Sequence, residues 1–252
     1  MCIALGLAGA LTALCAAGPA AFADAPTAAP GDVVTIAGEG GGCTLGFLFT
    51  GSDKASYMST AGHCLLGDTE TKKSWRPGAG PVATTPQGQI GRVVFAEYLP
   101  TANEDQDHYD FALIRLDKGV RASAALPTLG APTGTNDNLS DSPALLRVYG
   151  QGTGVGLVAP VRDLLTSTLK RPGHVYAHGA LLFGDSGAPV LDADGKAIGS
   201  VLGAGGVPYG VGIGAPTMGH DGALNRIGRL KPVLTHASAS LRLRLSLVTS
   251  RV

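Results

Sequence analysis

Ser186 is the residue of this chain whose surroundings most favour nucleophilic chemistry. It lies in Gly184-Asp-Ser-Gly187, where two glycines permit a sharp turn and let a bound molecule approach the backbone closely. A serine hydroxyl attacks a carbonyl carbon efficiently only when a neighbouring base accepts its proton. The oxyanion formed in that attack also needs backbone N–H donors close by. Taken alone, however, this tetrapeptide is more typical of an ordinary turn.

A base and a residue to orient it are available earlier in the chain. His63 lies in Ala61-Gly-His-Cys64, directly before a cysteine. A disulfide at that cysteine would hold the histidine in one orientation, as a general base requires. Asp110 precedes Phe111–Leu116, an apolar run typical of a strand buried on both faces. A carboxylate at the start of such a strand needs a partner, and an imidazole N–H or backbone amides would each satisfy it. Two nearby acidic residues compete for this role, Asp105 and Asp107.

Together the three segments are far more specific than any one of them. They resemble the signature segments of the chymotrypsin-like (trypsin-type) serine peptidases and occur in the same order, His, Asp, Ser: Thr60-Ala-Gly-His-Cys64, Tyr109-Asp-Phe-Ala-Leu-Ile114 and Gly184-Asp-Ser-Gly-Ala-Pro189. Among these peptidases, the chain resembles the secreted bacterial members. The resemblance extends over residues 32–233. It implies an all-β fold of two packed six-stranded antiparallel β-barrels with a short C-terminal helix and a site in the cleft between the barrels.

The resemblance also implies a role for each residue. Ser186 would attack the scissile carbonyl and form an acyl-enzyme, while His63 would accept its proton and later protonate the leaving amine. Asp110 would fix the tautomer and orientation of His63. The backbone N–H groups of Gly184 and Ser186 would form the oxyanion hole, and Asp185 would be buried and structural.

Several departures from the family pattern bear on these expectations. Gly62 replaces the commoner alanine before the histidine, and Ala188 replaces a glycine after the serine. No Arg-Ile-Val-Gly-Gly-like activation site is found near the N-terminus, so a freshly cut N-terminus is not the expected partner of Asp185. Bacterial relatives use an internal arginine instead, and Arg147 is the candidate for that partner.

The substrate pocket is predicted from one position. In the family, the residue six before the nucleophile lies at the base of the primary pocket, and here that residue is Ala180. Cleavage after Arg or Lys requires a buried carboxylate at this place. The sequence therefore predicts a small or apolar residue on the acyl side of the cleaved bond (P1), in protein or peptide substrates.

The elements that must position these residues are short strands separated by turns. Glycine is abundant, with 38 residues, and charged residues make up 15% of the chain; Gly and Pro supply the dihedral angles that turns need. We predict a first barrel over residues 32–125, a connection over 126–143, a second barrel with the C-terminal helix over 144–235, and a tail over 236–252. Helical spacing over Asp221–Leu230 indicates the helix, and Asp192-Ala-Asp-Gly195 indicates a hairpin turn. Runs of strand type were found at 32–37, 44–49, 57–60, 89–95, 110–116, 144–149, 164–169, 174–178, 188–191, 197–202 and 207–213.

The first 23 residues are predicted to be a secretory signal. Residues 3–17 are almost wholly apolar or small, and Ala21-Phe22-Ala23 is a small-x-small cleavage pattern. A retained membrane helix and lipidation at Cys15 are alternatives. Residues 24–31 would then be an extended tail or a short pro-segment, and the mature protein would be extracellular or at the cell surface, without stable membrane insertion.

Removal of the signal leaves Cys43 and Cys64. An even pair of cysteines in an exported chain predicts a disulfide. The formal net charge is zero, which gives no reason to expect a nucleic-acid partner. We expect a monomer without a cofactor.

Three other interpretations fit parts of the sequence. A catalytically inactive binding module on the same fold would be expected to lack a triad residue, and none is missing. An α/β-hydrolase esterase uses Gly-x-Ser-x-Gly and places Asp and His after the serine, unlike this chain. His174 and His178 could share one face as metal ligands, but on a strand they would lie about 13 Å apart, and two ligands are too few for a closed zinc site; no metal site is predicted.

Overall fold

The computed structural model describes residues 25–37, 42–67, 71–99, 109–139, 143–152, 159–203, 211–213 and 224–250, with the backbone alone for 168–171 and 211–213. The predicted signal segment, Asp105 and Asp107 lie outside these residues. The N-terminal elements are β1 (Thr27–Ala28), β2 (Val33–Ile36), β3 (Gly42–Thr44), β4 (Leu48–Gly51), β5 (Ser56–Thr60), helix α1 (His63–Leu66), β6 (Thr71–Ser74), β7 (Val82–Thr85), β8 (Gly88–Tyr98), β9 (Asp110–Leu116) and β10 (Arg121–Ala122). The C-terminal elements are β11 (Leu145–Tyr149), β12 (Val161–Arg171), β13 (His174–His178), β14 (Ala180–Leu182), β15 (Pro189–Asp192), β16 (Ala197–Gly203), β17 (Val211–Ile213), β18 (Asn225–Arg229), α2 (Leu230–Leu241) and β19 (Leu245–Leu247).

The N-terminal half forms one strongly curved antiparallel sheet. Its strands run in the order β19-β4-β5-β9-β8-β7-β2-β3, and β6 adds to β8. Strand β9 lies at the centre of this sheet between β5 and β8, and six of its seven residues are buried. This agrees with the apolar run Phe111–Leu116. By hydrogen bonding the sheet is a half-barrel with an open edge rather than the closed six-stranded barrel that was expected.

The C-terminal half contains a closed barrel. Its six strands follow one another in the order β11-β12-β13-β18-β16-β15. Closure removes the exposed strand edges, and the interior is filled by aliphatic side chains such as Leu146, Val148 and Ile227, which are fully buried. The expectation of an all-β two-barrel fold with a short C-terminal helix is confirmed.

The C-terminal helix lies further along the chain than predicted. Residues Asn225–Arg229 form β18 of the barrel, and α2 begins at Leu230. The spacing of Leu224, Ile227 and Leu230 predicts a helix, but the segment also fits a strand whose alternate residues, Ile227 among them, are buried. Pro232 does not end a helix here but lies in its first turn, where no N–H is needed. In the segment predicted as a tail, the alternating leucines over Ser240–Leu247 fit either a half-exposed strand or a disordered end. The structure has α2 continuing to Leu241 and then the strand β19, which pairs with β4.

The segment before β2 is packed rather than loose. Strand β1 pairs in parallel with β10, and Ala28 is fully buried. A Cβ atom on Gly31 would lie 2.1 Å from the ring of Tyr149, so this segment also reaches the second barrel. In the parts of the chain that the structure describes, neither helix has the length and apolar character needed to cross a membrane.

Candidate active site

The position of His63 is set by α1 and by the close approach of β8. Helix α1 begins at His63, and two residues separate it from the end of β5. A Cβ atom on Gly62 would lie 2.0 Å from the carbonyl oxygen of Glu97 in β8. The glycine in place of the commoner alanine is therefore explained by how tightly β8 packs against the residue before His63.

Asp110 holds His63 by two hydrogen bonds. The ring Nδ1 lies 2.7 Å from Oδ2, and the backbone N–H of His63 donates to Oδ1 at 2.9 Å. Asp110 opens β9 and is 7% exposed, whereas the side chain of His63 is 26% exposed. Because an ionised carboxylate can only accept, Nδ1 carries the hydrogen and the neutral ring has its lone pair on Nε2. This tautomer suits a base that acts through Nε2.

The predicted Cys43–Cys64 disulfide is present and anchors the neighbour of His63. It joins the middle of β3 to α1 across 21 positions of sequence, with the Cα atoms 6.3 Å apart. A second link lies beside it, because the Thr60 hydroxyl donates to the carbonyl of Thr44 at 2.9 Å. The strand before His63 and the strand ending at Thr44 therefore form one rigid unit.

Ser186 lies in the turn between β14 and β15, and this turn is pressed against that unit. Gly184 and Gly187 have φ angles of +92° and +88°, in the left-handed region that favours glycine. A Cβ atom on Gly187 would lie 2.4 Å from the carbonyl oxygen of Thr44 and 2.5 Å from the hydroxyl of Thr60. The glycine is thus needed both for the turn and for the contact between the two halves of the molecule.

Thr44 connects the two halves and was missed by sequence reasoning. Its N–H donates to the carbonyl of Ser186 at 2.9 Å, and its hydroxyl donates to the carbonyl of Gly184 at 2.6 Å. The side chain is fully buried. Its place directly after Cys43 is the sequence signal that would have identified it. Through Thr44, the serine turn is docked beside the bridge that anchors α1 and His63.

Asp185 is buried, as expected, and forms an ion pair with Arg162. The two guanidinium nitrogens of Arg162 lie 2.8 and 2.9 Å from the two carboxylate oxygens. The backbone N–H groups of Gly152 and Leu182 donate to the same carboxylate at 3.0 and 2.7 Å. These bonds satisfy a fully buried charge and fix the residue directly before Ser186.

The prediction that Arg147 pairs with Asp185 is wrong. Arg147 lies between the buried residues Leu146 and Val148 on β11, so its side chain points outward, where it lies 3.6 Å from Asp163. Arg162 is the cross-strand partner of Val148. Residues directly opposite each other in a sheet share a face, so Arg162 points inward to Asp185.

The two amides predicted for the oxyanion hole lie on either side of Asp185. Among the described residues, no acceptor is bonded to the N–H of Gly184 or of Ser186, whereas the intervening N–H of Asp185 donates to Leu182 at 3.1 Å. The turn therefore offers two backbone donors beside the serine. This is the pairing that stabilises a tetrahedral oxyanion in acyl transfer.

The remaining predicted positions lie nearby. Ala180 is half-buried at the start of β14, and Phe183, directly before Gly184, is 58% exposed. His174 and His178 lie on β13, a strand as expected. Within the described residues, the cluster with potential metal ligands is Cys43, His63 and Cys64, and its two sulfurs are bonded to each other. This cluster therefore lacks the thiolates that bind metals.

A family model described as Trypsin matches residues 34–215 of the chain. The chain belongs to the trypsin family. No curated protein sequence matches it. Among solved structures it is similar to Thermobifida fusca Protease A, with 18% identity, a TM-score of 0.52, and coverage of 88% of this chain and 100% of that one. It is also similar to Cellulomonas bogoriensis chymotrypsin, with 19% identity, a TM-score of 0.52, and coverage of 89% and 100%. A third similar structure is a Nocardiopsis protease, with 17% identity, a TM-score of 0.53, and coverage of 87% of this chain and 98% of that one.

These trypsin-family structures share the fold of the chain at low sequence identity. The segments that carry His63 and Asp110 lie within the family match, and so does the turn of Ser186. Membership of this family supports a serine-type peptidase, that is, a hydrolase acting on protein or peptide substrates.

Proposed function

We propose that this trypsin-family protein is a secreted serine endopeptidase that works through His63, Asp110 and Ser186. The observation that carries the proposal is the two-bond contact of Asp110 with His63, next to a serine turn docked through Thr44. One carboxylate orients both the ring and the backbone of the histidine. The same strand ends that hold the histidine also hold the serine turn.

The reaction follows from these positions. Ser186 Oγ attacks the scissile carbonyl carbon while His63 Nε2 accepts the hydroxyl proton, and Asp110 stabilises the imidazolium that results. The amides of Gly184 and Ser186 donate to the oxyanion. When the C–N bond breaks, His63 gives its proton to the leaving amine. Water, activated by His63 in the same way, then releases the acyl group from Ser186.

The proposed P1 preference is for small or apolar residues. Ala180 is small and neutral, and three carboxylates of the described part of the second barrel are engaged by other partners: Asp163 by Arg147, Asp185 by Arg162, and Asp192 by amides of its own turn and by Asn136. A peptide-library digest is expected to give cleavage after residues such as Ala, Val or Leu. Cleavage dominated by Arg or Lys at P1 would refute this preference without affecting the triad.

The decisive experiment compares the mature wild type with Ser186→Ala in a digest of mixed peptides. Wild type is expected to cut and Ser186→Ala to lose cutting almost entirely, with both proteins folded by circular dichroism. An alkyl organophosphonate is expected to add one adduct to Ser186 of the wild type, found by peptide mass mapping. A folded wild type that neither cuts nor reacts would make the protein an inactive binding module.

Export has its own test. If residues 1–23 are removed as a signal, protein recovered from the medium of an expressing cell begins at Asp24, as read by N-terminal sequencing. Recovery of the uncut chain from the membrane fraction, or of a lipid-modified Cys15, would replace this part of the proposal.

A further inference from the structure

A histidine on the C-terminal helix, His236, contacts strand β8 and the residue that directly precedes Asp110. His236 Nε2 lies 2.7 Å from Oε2 of Glu97 on β8. Its ring also stacks on Tyr109, the residue directly before Asp110, with centroids 4.2 Å apart and planes inclined by 14°. The amino group of Lys72 on β6 lies 3.0 Å from the same ring nitrogen.

Glu97 is a charge that the fold must hold in place. Its side chain is 3% exposed, and an ionised carboxylate is costly to bury unless it is paired. Removal of one partner of a buried pair leaves the other charge uncompensated. His236 lies at ion-pair distance from this carboxylate, at the point where α2 packs against the first sheet, although Oε2 of Glu97 accepts no hydrogen bond within the described residues.

The backbone of Glu97 in turn bounds the residue before His63. Its carbonyl oxygen fills the space in which a side chain of Gly62 would lie. In the pairing of β8 with β9, Glu97 is opposite Phe111 and Tyr98 is opposite Asp110. The ring of Tyr98 also lies edge-on to the His63 ring, with the centroids 5.8 Å apart. A shift of β8 would therefore displace both His63 and Asp110.

Tyr109 provides a second and shorter route. Its carbonyl accepts a hydrogen bond of 2.8 Å from Leu99, so the segment entering β9 is tied to the end of β8. Its ring lies flat on His236. The side chain of His236 therefore restrains the residue directly before Asp110 as well as the strand beside it.

We propose that His236 is a positioning residue for the His63–Asp110 pair and acts through Glu97 and Tyr109. This rests on the proposed function. Small displacements of catalytic groups are expensive, since a shift of about 1 Å costs about 100-fold in rate. His236 touches none of the reacting atoms, so its loss is expected to lower kcat with little change in KM.

The test compares three substitutions at His236 with a matched core control. His236→Ala removes the contacts with Glu97 and Tyr109. It is expected to lower kcat about tenfold, with KM within about twofold. His236→Gln keeps a polar group beside Glu97, His236→Phe keeps the ring on Tyr109, and each is expected to recover part of the rate. Val233→Ala, a truncation of a buried residue on the same helix, lowers stability but leaves kcat unchanged. If His236→Ala does not fold, intermediate rates for the other two variants still support the proposal, and wild-type rates for both refute it.

A spectroscopic measurement separates this proposal from the proposed function. The proton between His63 Nδ1 and Asp110 is expected to give a downfield NMR signal that moves upfield and exchanges faster with water in His236→Ala, and not in Val233→Ala. An inactive, unlabelled wild type would refute the peptidase, yet this signal would still test the positioning. An active wild type with an unchanged signal and unchanged kcat in His236→Ala would refute the positioning alone.

Discussion

The histidine side and the serine side of the site are held by different kinds of bond. His63 is fixed by a carboxylate that bonds both its ring and its backbone, and by a disulfide at the next residue. The serine turn is fixed by a buried ion pair between Asp185 and Arg162. The histidine side is thus built within one sheet, while the serine turn is anchored by the interior of a closed barrel. The two sides meet at Thr44, which donates two hydrogen bonds to the serine turn.

The difference suggests a division of labour. On the histidine side the charged partner, Asp110, takes part in the proposed chemistry, so its removal should affect rate more than stability. On the serine side the charged partners, Asp185 and Arg162, take no part in the proposed chemistry, so loss of Arg162 should affect stability first. Substitutions on each side can therefore separate catalysis from folding.

The largest effect is expected from Asp110→Asn. An amide in place of the carboxylate can donate to His63 and so favours the wrong tautomer, and the expected loss in kcat is about 10⁴-fold, the size known for the same change in the archetypal member of this family. The measurement is kcat for a peptide substrate, together with the denaturant midpoint. Asp163→Asn, which alters an exposed carboxylate beside Arg147, is the control and should retain kcat. A loss of less than about tenfold in Asp110→Asn would contradict the assigned role.

The next effect is expected from Arg162→Leu. This change leaves Asp185 charged and buried, and breaking a buried pair in this way costs about 3–5 kcal/mol of the free energy of unfolding. Arg147→Leu is the matched control, because its contact with Asp163 is exposed and surface pairs contribute about 0–1 kcal/mol. The measurement is the free energy of unfolding of both variants and the wild type, determined by urea unfolding. Equal losses in the two variants would mean that the ion pair does not anchor the serine turn.

Replacing both Cys43 and Cys64 by alanine is expected to cost about 3 kcal/mol, since the bridge closes a loop of 21 positions. The loss arises mainly because the unfolded chain gains freedom. Labelling of Ser186 by a phosphonate should persist in folded protein at a reduced rate, because the serine turn keeps its ion pair. Urea unfolding of the oxidised wild type and of the double variant gives the comparison. Complete loss of labelling in protein that remains folded would show that the two sides are not held independently.

Much of this arrangement was predictable from local sequence. The apolar run after Asp110 and the segment His174–His178 have the predicted strand bounds, because continuous apolar runs and turn residues are local signals. The turn at Gly195, with φ of +74°, is of the same kind. The cysteine count predicted the bridge because only two cysteines follow the predicted signal segment.

The remaining features depend on which strand lies opposite which. The choice between Arg147 and Arg162 requires the register of β11 against β12. The need for glycine at position 62 requires the approach of Glu97, 35 positions away. Thr44 and His236 likewise act across long separations in sequence. Such contacts between distant residues cannot be inferred from composition or from the spacing of residues along the chain.

The smallest expected effect is a loss of stability at alkaline pH, which should arise on the histidine side and not on the serine side. Burial, together with the hydrogen bond that its hydroxyl donates to Asp53, raises the pKa of Tyr57 to about 12. Tyr57 lies on β5, the strand that leads to His63. Since an unfolded tyrosine ionises near pH 10, the folded state holds this proton more tightly. The resulting stability is fully present below about pH 10 and is lost as the pH rises towards 12. The serine turn is instead held by the Asp185–Arg162 pair, which contains no tyrosine.

Absorbance at 295 nm should therefore show one tyrosine that titrates near pH 12 and that is missing in Tyr57→Phe. Urea unfolding between pH 9 and 11.5 should show a smaller loss of stability in Tyr57→Phe than in the wild type. Asp53→Asn removes the negative charge that favours the protonated phenol, so it should lower the pKa of Tyr57. Titration of Tyr57 near pH 10 in the wild type would mean that β5 is open to water, and that the histidine side is less rigid than its hydrogen bonds imply.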